Sequence, residues 1–146
     1  MQDYVLEKIE GYPLLRSDIP TRNGRLYTEE CLQTIADTLK EFTEYHIPVV
    51  TTQKDNNPCL NINYACGAVT KAEIKDHVLY VDIDILDTIA GRSLFNRPAE
   101  LRIYFGPFIQ VDYDKDLIKL PDANYTTVKD IQFNYIQVLE LDPYFK

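Results

Sequence analysis

Val78-Leu79-Tyr80-Val81-Asp82-Ile83-Asp84-Ile85-Leu86 alternates without a break: Leu79, Val81, Ile83 and Ile85 point one way, and Tyr80, Asp82 and Asp84 the other. A period of two held over this length predicts a β-strand with one buried face. Tyr64 to Ile74 is a similar strand upstream, and Lys75, Asp76 and His77 supply the turn of a hairpin. The β reading continues on both sides. Leu101 to Asp112 alternates through Leu101, Ile103, Phe105, Ile109 and Val111, with Gly106 and Pro107 marking a bulge or a sheet edge. A last strand, Ile131 to Leu141, follows a loop from Asp114 to Asn124. Toward the start, Gln2 to Ile9 reads as a strand interrupted by Gly11, Pro13 and the polar stretch Arg16 to Arg25, and Val49 to Thr52 as a short strand before an exposed loop, Gln53 to Pro58.

Two segments break the alternation. From Thr28 to Glu44, Leu32, Ile35, Ala36, Leu39 and Phe42 recur at spacings of three and four, which predicts a long amphipathic helix. Thr28 is placed to cap it, Glu29 and Glu30 favour its first turn, and Pro48 lies beyond its end. Thr88 to Asn96 predicts a short helix ended by Arg97 and Pro98. The expected architecture is α+β, one domain over residues 1–146. It is a barrel-like, mostly antiparallel sheet with one long and one short packed helix. The expected core is Leu32, Ile35, Leu39, Val81, Ile83, Ile85, Ile103, Phe105 and Val138.

The chain has 146 residues, 45% of them hydrophobic and 26% charged, enough for a core without disulfides or a structural metal. Its 15 Lys and Arg against 23 Asp and Glu leave a net charge of −8, which repels phosphate backbones and anionic headgroups. Neither nucleic acid nor membrane is an expected partner. The opening MQDYVLEKIE has no signal-peptide pattern, and no apolar run reaches the roughly 20 residues of a membrane span. Synthesis in the cytoplasm is therefore expected. Cys31, Cys59 and Cys66 are odd in number and irregularly spaced, as free buried thiols would be. In that compartment the sequon Asn124-Tyr125-Thr126 is incidental. Tyrosine supplies 11 residues against 6 Phe and no Trp, a composition that favours protein contacts.

The stock of reactive groups is thin. There are two serines, Ser17 and Ser93, and two histidines, His46 and His77, none joined by a motif, and both histidines read as surface or turn residues. Cys59 and Cys66 lack CxxC or HxxxH partners. Asp112, Asp114 and Asp116 imitate a calcium loop, yet Leu117 stands where Gly is needed and Ala123 where Glu is needed. Asp82 and Asp84, about 7 Å apart on one strand face, read as a solvated surface. No glycine-rich loop cradles phosphate, and no cofactor is expected.

Three segments resemble the tailed-phage prohead proteases, serine enzymes that cleave scaffold and capsid proteins as heads mature. Thr21-Arg22-Asn23-Gly24-Arg25-Leu26-Tyr27 is similar to that family's N-x-N-G-R-x-Y stretch before the first helix. Leu86-Asp87-Thr88-Ile89-Ala90-Gly91-Arg92-Ser93-Leu94 resembles its L-D-T-P-x-G-R-x-L segment, with Ile89 in place of Pro. Val128 to Pro143 resembles its closing strand and Pro motif. These motifs also have structural uses: Asn23-Gly24 as a tight turn with positive φ, and Gly91 letting the chain turn after Asp87-Thr88 caps the short helix.

The resemblance also locates the family's catalytic positions. The nucleophile's pattern, L-G-[VI]-S-x-R-G, matches Leu101-Arg102-Ile103-Tyr104-Phe105-Gly106, so Tyr104 stands where serine belongs. The histidine's G-E-x-x-H-P element is matched by Val49-Val50-Thr51-Thr52-Gln53-Lys54-Asp55, and His46 falls several residues too early. A phenol titrating at about 10 with no imidazole beside it is a poor acyl-transfer nucleophile.

The expectation is thus a protease-like fold with no catalytic, cofactor or metal residues. It would serve as a phage virion structural protein, auxiliary, cement or minor capsid component, located in the head. Its partners would be the major capsid or other virion structural proteins, with strand addition at an exposed edge as one mode and self-association as another contact. Alternatives are an active maturation protease using His46 or His77 with Ser93 or a cysteine, a transient head-assembly factor, and an unrelated β-rich cellular domain.

Overall fold

In the computed structural model, which describes residues 4–21, 24–55, 57–98, 102–111, 117–119, 121 and 123–141, the alternating segment is the strand β5 (Val78–Leu86). It lies between β1 (Val5–Arg16) and β4 (Ala65–Lys75), antiparallel to both. Asp76 and His77 form the two-residue turn from β4 to β5, with φ of 51° and 70°. Two left-handed residues give a turn whose twist matches that of the strands. The sheet continues through β3 (Val50–Thr51) and β9 (Gln132–Leu141) to β6 (Arg102–Gln110), in the order β1-β5-β4-β3-β9-β6. Only the β3–β9 pairing is parallel.

The two edges of this sheet meet. The Tyr12 ring on β1 stands edge-on to Phe105 on β6, centroids 5.0 Å apart at 89°. Its hydroxyl accepts from the Phe105 N–H at 2.8 Å and donates to the Phe105 carbonyl at 3.3 Å. The antiparallel sheet is thereby curled into a half-barrel. Phe105 therefore turns its backbone groups away from β9, and so, by alternation, do Ile103 and Pro107. Tyr12 occupies Phe105, and Pro107 has no N–H to offer, so this edge is blunted. Of the two readings of Gly106-Pro107, a bulge or a sheet edge, the edge is the one found: β6 is the last strand of the sheet, and its register shift lies further on, between Phe108 and Ile109.

Helix α1 (Glu29–Glu44) buries Cys31, Leu32, Ile35, Ala36 and Leu39, and packs chiefly on β4. Phe42 is half-buried, its ring 6.4 Å from that of Phe133. Thr28 has cap geometry but makes no side-chain cap bond. Its hydroxyl donates to the Lys129 carbonyl at 3.3 Å, tying the helix start to the segment after β8 (Thr126–Val128). Helix α2 (Ile89–Phe95) rests on β4 and β5. Thr88 does cap it, accepting from Gly91 N–H at 2.9 Å while donating to the Ala65 carbonyl at 2.8 Å. Thr88→Ala is expected to lower stability by about 1 kcal/mol in urea unfolding.

Every expected core residue is buried except Ile103, which is half-buried at the β6 edge. Other expectations need correction. Strand β1 does not stop before Gly11 and Pro13 but runs through them to Arg16, its register shifts absorbing both. An edge strand tolerates such irregularity because only one side of its backbone is paired. Asp84 is not on a solvated face: it is 5% exposed, paired in register with Lys8 and Ala68, and its carboxylate lies 3.4 Å from Lys8 Nζ. Asp82 is half-buried and accepts from Gly11 N–H at 2.8 Å. A strand flanked on both sides has its second face partly covered by its neighbours.

The loop after β3 holds a buried residue, Gln53, at 3% exposure. Its amide donates to Asp55 and to the Cys59 carbonyl and accepts from Asn61 N–H, while Tyr135 donates to the Asn57 carbonyl at 2.6 Å. Cys59 is exposed on that loop, against the expectation of a core thiol, whereas Cys31 and Cys66 are buried. A second small sheet was not expected. Strands β2 (Arg25–Tyr27), β8 and β7 (Leu117–Ile118) form it in the order β2-β8-β7, with β2 and β8 parallel. Gly24 takes φ of 78° before β2, while Asn23, Leu101, the Asp112-Asp114-Asp116 run and Pro143 lie outside the described residues.

Candidate functional site

The two segments matched to the family's catalytic positions come together. Strands β3 and β6 flank β9, so they are separated by one strand, about 10 Å in all. Register puts Thr51, Gln137 and Gly106 in one row on one face, with Tyr104 beside Leu139 two residues along β6. This is a geometry in which a nucleophile on one strand could face a base on the other. The groups present are of a different kind.

Thr51 is fully buried, and its hydroxyl is committed: it donates to the Tyr64 carbonyl at 3.2 Å and accepts from Gln53 N–H at 3.0 Å. Gln137 donates through its amide to the Gln53 carbonyl at 3.4 Å. Amides and alcohols neither take up nor release a proton near neutrality, so the row can bind and position but has no general base of its own. Tyr104 is half-buried and Leu139 exposed, which makes this end of the face an aromatic and aliphatic surface.

The remaining reactive groups sit elsewhere. His46 is exposed just past the end of α1, with φ of 55°. Ser93 is exposed on α2. Burial raises the Cys31 thiol above its ordinary range and pushes the Cys66 thiol up to about 12, so both are protonated at neutral pH. Among the described residues, no three His, Cys, Asp or Glu side chains are grouped to hold a metal ion, and no helix is long and apolar enough to cross a membrane.

Among the described residues, serine, histidine and a carboxylate do converge, at Ser17, Glu29 and His77. The Ser17 hydroxyl donates to Glu29 Oε1 at 2.6 Å, and His77 Nδ1 lies 2.5 Å from the same oxygen. Sequence spacing gave no sign of this, because residues 17, 29 and 77 are joined only by the packing of β1, α1 and the hairpin turn. The order is wrong for acyl transfer, in which the imidazole must stand between hydroxyl and carboxylate to take the hydroxyl proton. Here the carboxylate is in the middle. Hydrogen bonds from Ser17 and then His77 hold it below the usual carboxylate range, which makes it a weak base.

The sheet is curled and mostly antiparallel, with α1 following β2 and α2 joining β5 to β6. Among solved structures, the bacteriophage T4 capsid assembly protease gp21 aligns with a TM-score of 0.63 at 14% identity, covering 90% of this chain and 89% of that one. No family model matches the chain, and no curated protein matches it. The likeness to gp21 establishes the fold.

Proposed function

We propose that this chain acts in building a tailed-phage head, as a virion structural protein that binds major capsid or other shell proteins and does no proteolysis. The observation that carries this reading is the row across β3, β9 and β6. Where the protease-like fold would bring an imidazole to a serine, Thr51, Gln137, Gly106 and Tyr104 stand, and both histidines lie on other elements. Loss of nucleophile and base together leaves only binding and oxyanion effects, and a fold shaped to hold capsid-protein segments keeps its use as a binding surface. With the β6 edge blunted by Tyr12 and Pro107, contact would be made by side-chain surfaces such as Tyr104 and Leu139. Acidic charge and abundant tyrosine suit that role.

The test is co-expression with the scaffold and major capsid proteins of the same phage, read by gel and by mass spectrometry of purified heads. Both partners should remain full length, with this chain present in the particles. Specific cleavage that disappears in Ser93→Ala or Cys59→Ala would overturn the reading in favour of an active protease. Its absence from finished heads would make it a transient assembly factor.

A further inference from the structure

The junction of Ser17, Glu29 and His77 joins three parts of the chain that are far apart in sequence. Ser17 begins the loop after β1, Glu29 is the first residue of α1, and His77 is the second residue of the β4–β5 turn. The Ser17 N–H also donates to the His77 carbonyl at 2.9 Å, so backbone and side chain converge at one point. The loop held there carries Ile19, Pro20 and Thr21, which wall a cavity of about 450 Å³ floored by Pro13, Val78 and Tyr80.

His77 sits at this point at a conformational cost. Its φ of 70° is left-handed, and the second residue of such a turn is ordinarily glycine, which has no Cβ to clash with the following carbonyl. A β-carbon is tolerated here in company with an imidazole that reaches the α1 carboxylate. Strained residues of this kind persist where the surroundings hold them, and His77 is held by the paired strands it joins, by the Ser17 N–H on its carbonyl and by Glu29 on its ring.

We propose that the Ser17–Glu29–His77 junction is a pH-responsive latch, engaged while the imidazole is protonated and loosened as it loses its proton, that orders the loop walling the cavity.

The groups facing His77 agree in sign. Glu29 on α1, Asp18 in the loop and Asp76 in the turn are all acidic; of the cations on the strands beside the turn, Arg16 is engaged by Asp18 through two bonds of 2.7 and 2.9 Å, and Lys75 precedes Asp76 at the end of β4. The hydrogen bond to Glu29 chiefly, and its charge next, raise His77 above its ordinary 6.5, while Ser17 and His77 depress Glu29 below its ordinary 4.5. A histidine with a raised folded value contributes stability that is fully present below 6.5 and lost as pH climbs through the folded value. A depressed glutamate contributes stability present above 4.5 and lost as pH falls through its folded value. The latch is therefore tightest from mildly acidic pH until the imidazole deprotonates above 6.5, and loosened in alkaline solution, where the charge attraction is lost and only neutral hydrogen bonding to Glu29 is left. Both side chains are more than half exposed, so the effect is local and salt-sensitive rather than global.

The experiment follows the imidazole by NMR across pH 4.5 to 9 in the full chain, with His46→Gln used to assign the second ring, and measures amide protection at Ser17, Asp18, Ile19 and Thr21. Wild-type His77 should titrate above 6.5, and Glu29→Gln should bring it down. Protection of these four amides should fall several-fold as the ring deprotonates, and the fall should shrink in 0.5 M salt. Two further variants separate latch from strain. His77→Asn keeps a residue that accepts left-handed φ, and His77→Gly removes the strain. Both should lose the pH dependence of loop protection, and His77→Gly, freed of the left-handed strain, should be at least as heat-stable as wild type at pH 8.5. A titration at or below 6.5, or loop protection with the same pH profile in wild type and His77→Asn, would overturn the proposal.

Discussion

Gly91→Ala is expected to destabilise the protein by about 3 kcal/mol, although alanine is the better helix former by about 1 kcal/mol. Gly91 lies in the first turn of α2, and only Asp87 and Thr88 separate that helix from the end of β5. The turn folds back onto the strand so closely that an added β-carbon would fall inside the Leu86 carbonyl oxygen, 3.0 Å from the carbonyl carbon and 3.1 Å from Thr88 Oγ1. Two of these neighbours are backbone atoms and cannot swing aside, so α2 must lift, carrying Ala90 and Leu94 out of the core. Gly91 thus lets the chain turn, as expected, and does so through close approach and not through a positive φ. Urea unfolding checks the sign as well as the size: an alanine variant as stable as wild type, or more so, would mean that α2 stands off the strand. Because Thr88 shares the site, Gly91→Ala and Thr88→Ala should be non-additive.

Tyr12→Phe is expected to cost about 2 kcal/mol, for a change of one atom. The ring and its edge-on contact with Phe105 are kept, so the loss is that of the hydroxyl alone. That hydroxyl satisfies both backbone groups of Phe105, and burial raises its ionisation above the ordinary 10, which keeps it a donor at all physiological pH. Removing it leaves an N–H and a carbonyl of β6 without partners where the sheet edges meet, and should lower the melting temperature by roughly 6 °C. It also frees an edge position that a second molecule could pair with. Light scattering at high concentration should therefore rise for Tyr12→Phe and not for a core variant of equal stability. Unchanged melting would show that the half-barrel closes without this bridge.

The proposed role fits a fold whose parts have uses other than chemistry. The Asp87-Thr88 turn with Gly91 shapes the β5–α2 junction, and Gly24 shapes the approach to β2, whether or not a serine stands on β6. Such motifs are held in place by packing, so their presence speaks to fold. Thr51, Gln53 and Gln137 are likewise bound into a hydrogen-bonded support for the loop over residues 53–61. A protein-binding surface needs that rigidity, and a proton shuttle needs groups that ionise.

Local pattern sufficed for the hairpin, both helices and nearly all of the core, since periods of 2 and 3.6 express which face each element buries. The segments bearing Tyr104 and Thr51 were legible too, as positions in a resemblance. Pairing between distant segments left no such trace. That Tyr12 would close the sheet on Phe105, that Asp84 would be buried beside Lys8, and that β2 would lie parallel to β8 depend on contacts 76 to 101 residues apart. A side chain's neighbours across a curled sheet are set by the sum of twist, register shifts and bulges, which no short window of residues encodes. The Ser17–Glu29–His77 junction is the plainest instance: each residue reads as ordinary surface where it stands in the chain, and only the packing of α1 against the hairpin makes them neighbours.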